Sequence, residues 1–318
     1  MNCLCCGKPL HNENDPGQWH PSCIKKFFGT KTLPEISVDE SVLEDLAVRS
    51  TSKGFTVPGV QKKLSLHLFS EKGRSRLTLV DYPTGYILKP QVAEFEALPE
   101  AEQLVMCMAD AVGIHTVPHA LIRENDVFSY ITKRIDRVSE KGQIKMLAME
   151  DFCQLGLRLT ENKYKSSYER CAKIIDRYSS RKGVDKTELY LRLVFSFVIG
   201  NSDMHLKNFS LIETEEKSGR YILSPAYDLL PVNLLLPEDT EQFALAMNGK
   251  KSRIRKKDFL VFADRIGIPS GPAMRMITFL ISKKELLQAM CRDSYLPAHL
   301  KDAFCDLIDE RIGVLDHE

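Results

Sequence analysis

Residues that could accept a proton and bind a metal ion lie in a polar segment that follows an apolar, helix-like run. Asp203 and Asn208 have four residues between them. At this spacing a carboxylate can accept the proton of an attacking hydroxyl while an amide oxygen holds Mg²⁺ during phosphoryl transfer. Lys207 lies between them, where a cation would neutralise charge that develops on the transferred phosphate. The alternative is a helix-capping turn, since Asn and Asp also cap backbone groups.

A second carboxylate, Asp228, ends an apolar, strand-like run and lies 25 residues after Asp203, which leaves room for a hairpin between them. A carboxylate among apolar neighbours needs a partner or a shifted pKa. A divalent metal that bridges nucleotide phosphates would be such a partner. Asp228 is therefore a second candidate Mg²⁺ ligand.

Lys89 follows three apolar residues at the end of a predicted strand. A lysine there could reach nucleotide phosphates and pair with a carboxylate on the next helix. Glu102 is the expected partner, with Glu100 and Glu96 as alternatives. The simpler interpretation is a surface lysine that closes the strand, because lysines are usually exposed.

The elements that must position these groups change in character along the chain. Alternating and β-branched runs predict a three-stranded antiparallel meander at 64–69, 76–80 and 86–89, and two further strands at 120–123 and 127–131. Three-to-four spacing of apolar residues predicts helices. The predicted helices span 42–47, 100–112, 149–157, 167–178, 186–199, 257–266, 272–281, 284–291 and 298–314.

This order predicts an α+β, two-lobed, protein-kinase-like fold, with a small β-rich N-lobe containing one helix and a larger helical C-lobe. We expect a Cys/His-containing appendage over 1–29, the N-lobe over 30–136 and the C-lobe over 137–318. Element order alone is weak support for a function, because α+β lobes are common. The charged and amide side chains described above, which interrupt or end apolar runs, are the stronger support for a kinase-like function.

The amino-acid composition argues against several classes of protein. The 318 residues carry a formal net charge of +1, so no global basic field would drive nucleic-acid binding. No apolar run approaches the ~18 residues that span a bilayer, and no signal-peptide pattern begins the chain. The cysteine count is odd, at nine, and five are scattered through apolar contexts, which predicts buried thiols in a reducing, cytoplasmic setting.

The other four cysteines crowd the first 29 residues. Cys3 and Cys6, with His20 and Cys23, have the paired spacing of a zinc site, and zinc would supply folding energy that the sparse local core lacks. The alternative is that this segment simply packs on the neighbouring lobe. Zn²⁺ is therefore a possible additional cofactor.

Five strings together resemble the HipA kinase toxins from about Thr56 to the C-terminus. They are VPGVQKK (57–63), ITKRIDR (131–137), MEDF (149–152), NSDMHLKN (201–208) and PAYDLL (225–230). The chain is shorter than full-length HipA proteins and in this resembles HipT, the truncated kinase of HipBST toxin–antitoxin systems.

The resemblance implies a Mg-ATP-dependent Ser/Thr kinase that halts translation by phosphorylating an aminoacyl-tRNA synthetase, the tryptophanyl enzyme first and the glutamyl enzyme second. It also implies a HipB-like DNA-binding antitoxin and a HipS-like small protein as partners. DNA contact would be indirect, or would use the basic run over 248–257. That run contains Lys250, Lys251, Arg253 and Arg255, and a solvated loop explains it equally well.

Residue by residue, the resemblance assigns Lys89 to ATP, Asp203 to the catalytic base, and Asn208 and Asp228 to Mg²⁺. The remaining assigned positions are His205 and Lys207 beside the base, Lys133 and Ile135 at the adenine hinge, and Gly59, Val60 and Gln61 in a phosphate-binding loop.

The same loop matches the autophosphorylated loop of the family. HipA proteins have a serine at the position of Thr56, and the second acceptor position of HipT proteins is Pro58 here, which has no hydroxyl. Thr56 is therefore the single acceptor predicted in this motif. The added phosphate would repel ATP or eject the loop and so switch the kinase off. A plain Pro-Gly turn is the alternative.

Two other functions fit parts of the pattern. The first is a catalytically silent HipA-like co-repressor module bound to a DNA-binding antitoxin. The second is a small-molecule phosphotransferase of the same broad fold. Phosphate transfer to a protein hydroxyl separates a protein kinase from both.

Overall fold

The computed structural model describes residues 1–10, 12, 16–37, 63–71, 74–78, 85–124, 126–140 and 143–317. The predicted helix over 42–47 and the loop containing Thr56, Gly59, Val60 and Gln61 lie outside the described residues. The chain divides into two compact units. Unit 1 is Met1–Gln103 with Val117–Arg137, and unit 2 is Leu104–Thr116 with Val138–Glu318. The predicted bounds at 1–29, 30–136 and 137–318 stay a prediction.

Unit 1 is built on a six-stranded sheet. Its strands are β1 (Glu35–Ser37), β2 (Leu64–Glu71), β3 (Arg74–Thr78), β4 (Tyr86–Pro90), β5 (His119–Glu124) and β6 (Val127–Lys133). In β2 the buried Leu64 and Leu66 flank the exposed Ser65, as the two-residue period of a half-buried strand requires. The periodicity therefore predicted these strands correctly.

The strand order differs from the predicted meander, in which the strand at 76–80 would pair with both neighbours. The observed order is β1-β3-β2-β4-β6-β5, so β2 is the strand between β3 and β4. The meander was wrong because β1 runs parallel to β3 along its other edge, with Ile36 opposite Leu77. β4 therefore pairs with the free edge of β2, where Leu88 lies opposite Leu64.

Two helices accompany this sheet. Helix α1 (Pro21–Phe28) begins with proline at its first turn, where the missing N–H costs nothing, and ends at Gly29 in the left-handed conformation. Helix α2 (Leu98–Ala111) matches the helix predicted over 100–112. It contributes its residues through Gln103 to unit 1 and its later residues to unit 2.

Unit 2 is mainly helical, as predicted. Its helices are α3 (Phe152–Leu155), α4 (Tyr168–Tyr178), α5 (Lys182–Val198), α6 (Val232–Leu235), α7 (Lys256–Arg265), α8 (Ser270–Ile281), α9 (Lys284–Arg292) and α10 (Ala298–Asp316). Helix α5 is the core helix, because Leu189, Leu193 and Phe197, four residues apart, are fully buried. The sequence predicted the long helices because each carries a clear apolar stripe.

The helix predicted over 149–157 was wrong in its first half. The chain forms two strands at 137–146, β7 (Arg137–Glu140) and β8 (Gln143–Met146), and then β9 (Met149–Asp151) before helix α3. The hairpin predicted between the two candidate aspartates exists, as β10 (Ser210–Glu213) and β11 (Tyr221–Leu223). β9 joins its open edge, and the Asp151 side chain caps α3 by accepting the Gln154 N–H at 2.8 Å.

A buried carboxylate fastens the end of this hairpin to the core helix. Asp185, in the first turn of α5, is fully buried and accepts hydrogen bonds from the Leu223 N–H at 2.7 Å and the Ser179 hydroxyl at 2.6 Å. Arg192, seven residues after Asp185 on the same helix, donates to the Ser224 carbonyl at 2.7 Å. The strand that leads to Asp228 is therefore held at two consecutive residues.

Two further expectations concern the whole chain. All nine cysteines lie within the described ranges and none is paired in a disulfide there; of the five that were expected to be buried, Cys107 and Cys305 are only half-buried. Within those ranges, no helix combines the length and the apolar character that crossing a membrane requires.

Candidate functional site

The polar segment after α5 begins at a glycine that lies in the left-handed region and is closely packed. Gly200 has φ of 67°, and a Cβ there would lie 2.7 Å from Cδ2 of Leu307. The core helix therefore ends abruptly, and the next eight residues form a loop and a single 3₁₀ turn at Leu206–Asn208. This places Asp203 and Asn208 at the end of a rigid, buried helix.

Asp203 is held by three neighbouring groups. The Tyr164 hydroxyl donates a hydrogen bond to its carboxylate at 2.8 Å. The Asn208 side-chain N–H donates to the Asp203 carbonyl at 3.1 Å, and the Asp203 N–H donates to the Asn201 side-chain oxygen at 3.2 Å. Asp203 and Asn208 are therefore brought together, and the bond to the Asp203 backbone fixes the orientation of the Asn208 side chain.

Burial raises the pKa of Asp203 to about 7. The hydrogen bond from Tyr164 and the charge of Lys163 oppose this rise, whereas the negative charges of Asp228 and Asp239 add to it. A carboxylate with this pKa exchanges its proton near neutral pH, which is the property of an efficient general base.

Asp228 lies in the strand-to-loop connection after β11, in the left-handed region with φ of 54°. Non-glycine residues in this region store strain, and such strain clusters at functional sites. The preceding residue ties the two segments together, because the Tyr227 hydroxyl donates to the Lys207 carbonyl at 3.0 Å and contacts the Ser210 hydroxyl. The structure thus joins the segment of Asp228 to the segment of Asn208.

The two residues that flank the base have defined partners. The ammonium of Lys207 forms an ion pair with Asp151, at 2.6 Å between Nζ and the carboxylate oxygen. The buried His205 ring lies edge-on to the Tyr164 ring, with 5.1 Å between ring centroids. In this structure the Lys207 charge is therefore directed to Asp151.

In unit 1, Lys89 forms a buried ion pair with Glu102. The two residues are 1% and 0% exposed, and the Lys89 ammonium also lies 5.1 Å from the centre of the Tyr130 ring. Burying an ion pair gains little stability over apolar packing, because desolvation offsets the attraction. The pair is therefore better explained by a function of the Lys89 ammonium than by a structural role.

Lys133 and Ile135, the two positions predicted for the adenine hinge, lie at the end of β6 and in the turn that follows it. The Lys133 N–H donates to the Pro118 carbonyl at 3.0 Å, so in this structure that N–H is engaged within the sheet. The Arg134 N–H donates to the Gly85 carbonyl at 2.9 Å. Ile135 is half-buried in the turn that follows.

The structure brings the four predicted zinc ligands together. The ligand atoms of Cys3, Cys6, His20 and Cys23 all lie within 4.8 Å of one another. Burial, and then the neighbouring thiols, raise the pKa of Cys23 above its ordinary range.

The basic run is partly neutralised by acidic neighbours. Lys250 pairs with Asp258 at 2.8 Å, and Lys251 pairs with Glu241 at 3.2 Å. Arg253 and Arg255 are exposed. The run therefore presents less free positive charge than its sequence suggests.

Sequence reasoning assigned no role to three residues that shape this site. Tyr164 carries no local signal, because it acts on a residue far along the chain. Asp151 lies within the MEDF string and Tyr227 within the PAYDLL string, and both strings contributed to the family resemblance.

The fold defined by these units is the two-lobed, protein-kinase-like fold expected from the sequence. The chain is similar to HipA of Shewanella oneidensis MR-1, solved with HipB and its operator DNA, with a TM-score of 0.68 and 19% identity over 86% of this chain and 72% of that chain. It is also similar to the proinflammatory kinase CtkA of Helicobacter pylori, with a TM-score of 0.50 and 15% identity over 79% of this chain and 95% of that one.

Residues 55–288 match the family described as HipA-like C-terminal domain, and the chain belongs to that family. A relative from Sinorhizobium fredii, named "Putative kinase Y4mE", is 29% identical over 269 residues. The match covers 80% of this chain and 62% of the relative, so this chain spans about three fifths of that protein's length.

The raised pKa of Asp203 predicts how the free energy of unfolding should depend on pH. Its folded-state pKa lies above the ordinary value of 3.8, so ionisation costs the folded state free energy, and this cost grows as pH rises through about 7. We expect Asp203→Asn, which stays neutral, to be more stable than the wild type at pH 8 by about 1–3 kcal/mol in magnesium-free buffer. The difference should shrink towards pH 5, as followed by urea denaturation.

Asp176→Asn is the matched control, since Asp176 is half exposed and forms an ion pair with Lys186 at 2.9 Å. It should show no such dependence on pH. An Asp203→Asn variant that is less stable than the wild type at pH 8 would contradict the raised pKa.

Proposed function

We propose that the chain is a Mg-ATP-dependent kinase that transfers phosphate to serine or threonine hydroxyls of a protein. The observation that carries this proposal is the joint placement of Asp203, Asn208 and the segment of Asp228, in a chain of the HipA-like family. The name of the Sinorhizobium relative supports kinase chemistry.

Asp203 would accept the proton of the substrate hydroxyl. Its pKa of about 7 leaves it largely ionised slightly above neutral pH while it remains basic enough to take a proton. The hydrogen bond from Tyr164 directs one carboxylate oxygen and stabilises the ionised form. The other oxygen would then face the hydroxyl.

The donors near Asp203 suit a hard divalent cation. The Asn208 side-chain N–H donates to the Asp203 carbonyl, so the amide oxygen is the atom of Asn208 that would bind the metal ion. The Asp228 carboxylate supplies negative charge close enough to raise the pKa of Asp203. Oxygen donors of this kind are those Mg²⁺ prefers, and when bound Mg²⁺ would neutralise the nucleotide phosphates.

Lys89 would bind the nucleotide phosphates. Its buried ion pair with Glu102 fixes the position of the ammonium, so that little side-chain conformational entropy would be lost when the nucleotide binds. Lys133 and Ile135 would contact adenine through backbone groups, and because the Lys133 N–H is engaged with Pro118, its carbonyl is the better candidate. His205 and Lys207 would support the base segment.

We further propose that the kinase is the toxin of a cytoplasmic toxin–antitoxin system, closest to the HipT branch, and that it phosphorylates an aminoacyl-tRNA synthetase. The tryptophanyl enzyme is the favoured substrate and the glutamyl enzyme the second. The structural neighbour from Shewanella was solved with HipB and operator DNA, which supports a HipB-like antitoxin as partner. A HipS-like small protein would be the third component.

DNA contact would be made mainly through the antitoxin. Within the basic run, the exposed Arg253 and Arg255 are candidates for phosphate contact, and so are Lys250 and Lys251, whose ammonium groups pair with Asp258 and Glu241 in this structure.

Phosphate transfer is the first test. With labelled ATP and Mg²⁺, the wild type should transfer phosphate to a serine or threonine of the tryptophanyl or glutamyl synthetase in a purified panel. Asp203→Asn should lower the rate about 10²–10⁴-fold, because the hydroxyl loses its proton acceptor. Asp176→Asn, the same change at an exposed site, should retain full activity.

The outcomes separate the competing functions. Absence of transfer to any protein by the wild type would favour the silent co-repressor. Transfer only to small molecules would favour the small-molecule phosphotransferase. An Asp203→Asn variant as active as the wild type would show that Asp203 is not the proton acceptor.

Thr56 generates a second test. We expect ATP-treated protein to gain one phosphate on Thr56 and to lose kinase activity as it does so, since the added charge repels ATP phosphates. Thr56→Val should stay unmodified and active, whereas Thr51→Val, in the same segment, should be modified like the wild type. Intact-mass and fragment mass spectrometry measure both. Phosphate found elsewhere, with Thr56 unmodified, would rule the assignment out.

A further inference from the structure

The four N-terminal ligand candidates have nearly the spacing of a tetrahedral metal site. The Cys6 sulfur lies 3.4 Å and the Cys23 sulfur 3.9 Å from Nδ1 of His20. In a tetrahedral zinc site with Zn–S of about 2.3 Å and Zn–N of about 2.0 Å, ligand atoms lie about 3.5–3.8 Å apart. Small side-chain adjustments would therefore bring all four atoms to one ion.

His20 is oriented for metal binding by its second ring nitrogen. Nε2 lies 3.0 Å from the Pro9 carbonyl, which can only accept a hydrogen bond. Nε2 therefore carries the proton, and Nδ1, which faces the sulfur atoms, keeps its lone pair. A backbone carbonyl in this position is the usual outer partner of a histidine that ligates zinc.

The backbone presents the ligands from two tight turns. The Gly7 N–H donates to the Cys3 carbonyl at 2.9 Å, and Gly7 adopts φ of 68°, so the chain reverses directly after Cys6. On the other side, the Cys23 N–H donates to the His20 carbonyl at 2.9 Å at the start of α1. The His20 N–H lies 3.4 Å from the Cys3 sulfur and would stabilise a thiolate there.

The same segment is attached to the sheet and to helix α2. β5 is an edge strand of the sheet, and the Leu121 N–H donates to the Leu4 carbonyl at 2.8 Å. The Trp19 indole N–H returns a hydrogen bond to the Leu121 carbonyl at 3.1 Å. On α2, the Gln103 side chain donates to the Cys5 carbonyl at 3.1 Å, and Gln103 is adjacent to Glu102, the partner of Lys89.

We propose that Cys3, Cys6, His20 and Cys23 bind one structural zinc ion, which holds the loop at residues 3–6 in the shape that covers β5 and anchors Gln103. All four positions are protein ligands, which is the composition of a closed, structural site. The role is distinct from the Mg²⁺ proposed for unit 2.

The test is the metal content of the 318-residue chain after expression with zinc and dialysis. The wild type should retain about one zinc per chain, whereas Cys23→Ser should lose most of it. Cys5→Ser is the matched control, because Cys5 lies in the same loop but outside the ligand set and contributes its carbonyl to Gln103. It should retain zinc like the wild type.

Cobalt(II) reconstitution of the wild type gives a readout that does not depend on how the variants fold. The proposal predicts the absorption bands of tetrahedral cobalt bound by thiolates. A wild type that retains no zinc and gives no such bands would overturn the site, and equal zinc loss in Cys5→Ser and Cys23→Ser would overturn the ligand assignment.

Discussion

The free-energy cost of burying the Asp203 carboxylate is the constraint on which the site in unit 2 depends. Burial raises the pKa of Asp203 to about 7, and the negative charge of Asp228 adds to this rise, so ionising both carboxylates costs free energy. A folded chain keeps such a pair where a cation or a proton is exchanged during function. The arrangement therefore favours chemistry in which one carboxylate takes a proton and the other binds a metal.

The surrounding structure is arranged to hold this pair in position. The core helix α5 ends at Gly200, where a larger residue would meet Leu307, and the loop beyond it carries Asp203 and Asn208. The hairpin of β10 and β11 returns the chain to Asp228, and Asp185 fixes its second strand by accepting the Leu223 N–H. Helix α5 therefore positions both segments, one through the loop that follows it and the other through Asp185.

The sequence predicted the parts of the fold that depend on local pattern. The long helices of unit 2 were predicted because their apolar residues recur every three or four positions, and the hairpin was predicted from the space between two aspartates. The strand order was not predicted, because the pairing of β4 with β2 depends on β1 occupying the far edge of β3. The strand β9 was likewise missed, since it exists only where β10 offers an edge.

The residues of the candidate site were likewise predicted where a local pattern marks them and missed where only a distant contact does. Asp203, Asn208, Asp228 and Lys89 were selected by residue type and spacing. Tyr164 was not, because the 2.8 Å bond from its hydroxyl to Asp203 joins residues 39 positions apart, and no local pattern encodes that contact.

Asn208 and Asp228 are proposed to bind a divalent metal together with a nucleotide, and paramagnetic Mn²⁺ measures this binding directly. Electron paramagnetic resonance of Mn²⁺ with a non-hydrolysable ATP analogue should show tight binding to the wild type and to Asp264→Asn, an exposed position on α7. Asp228→Asn should weaken binding at least about tenfold, because it removes a charged ligand. Equal Mn²⁺ affinity in Asp228→Asn and the wild type would contradict the account.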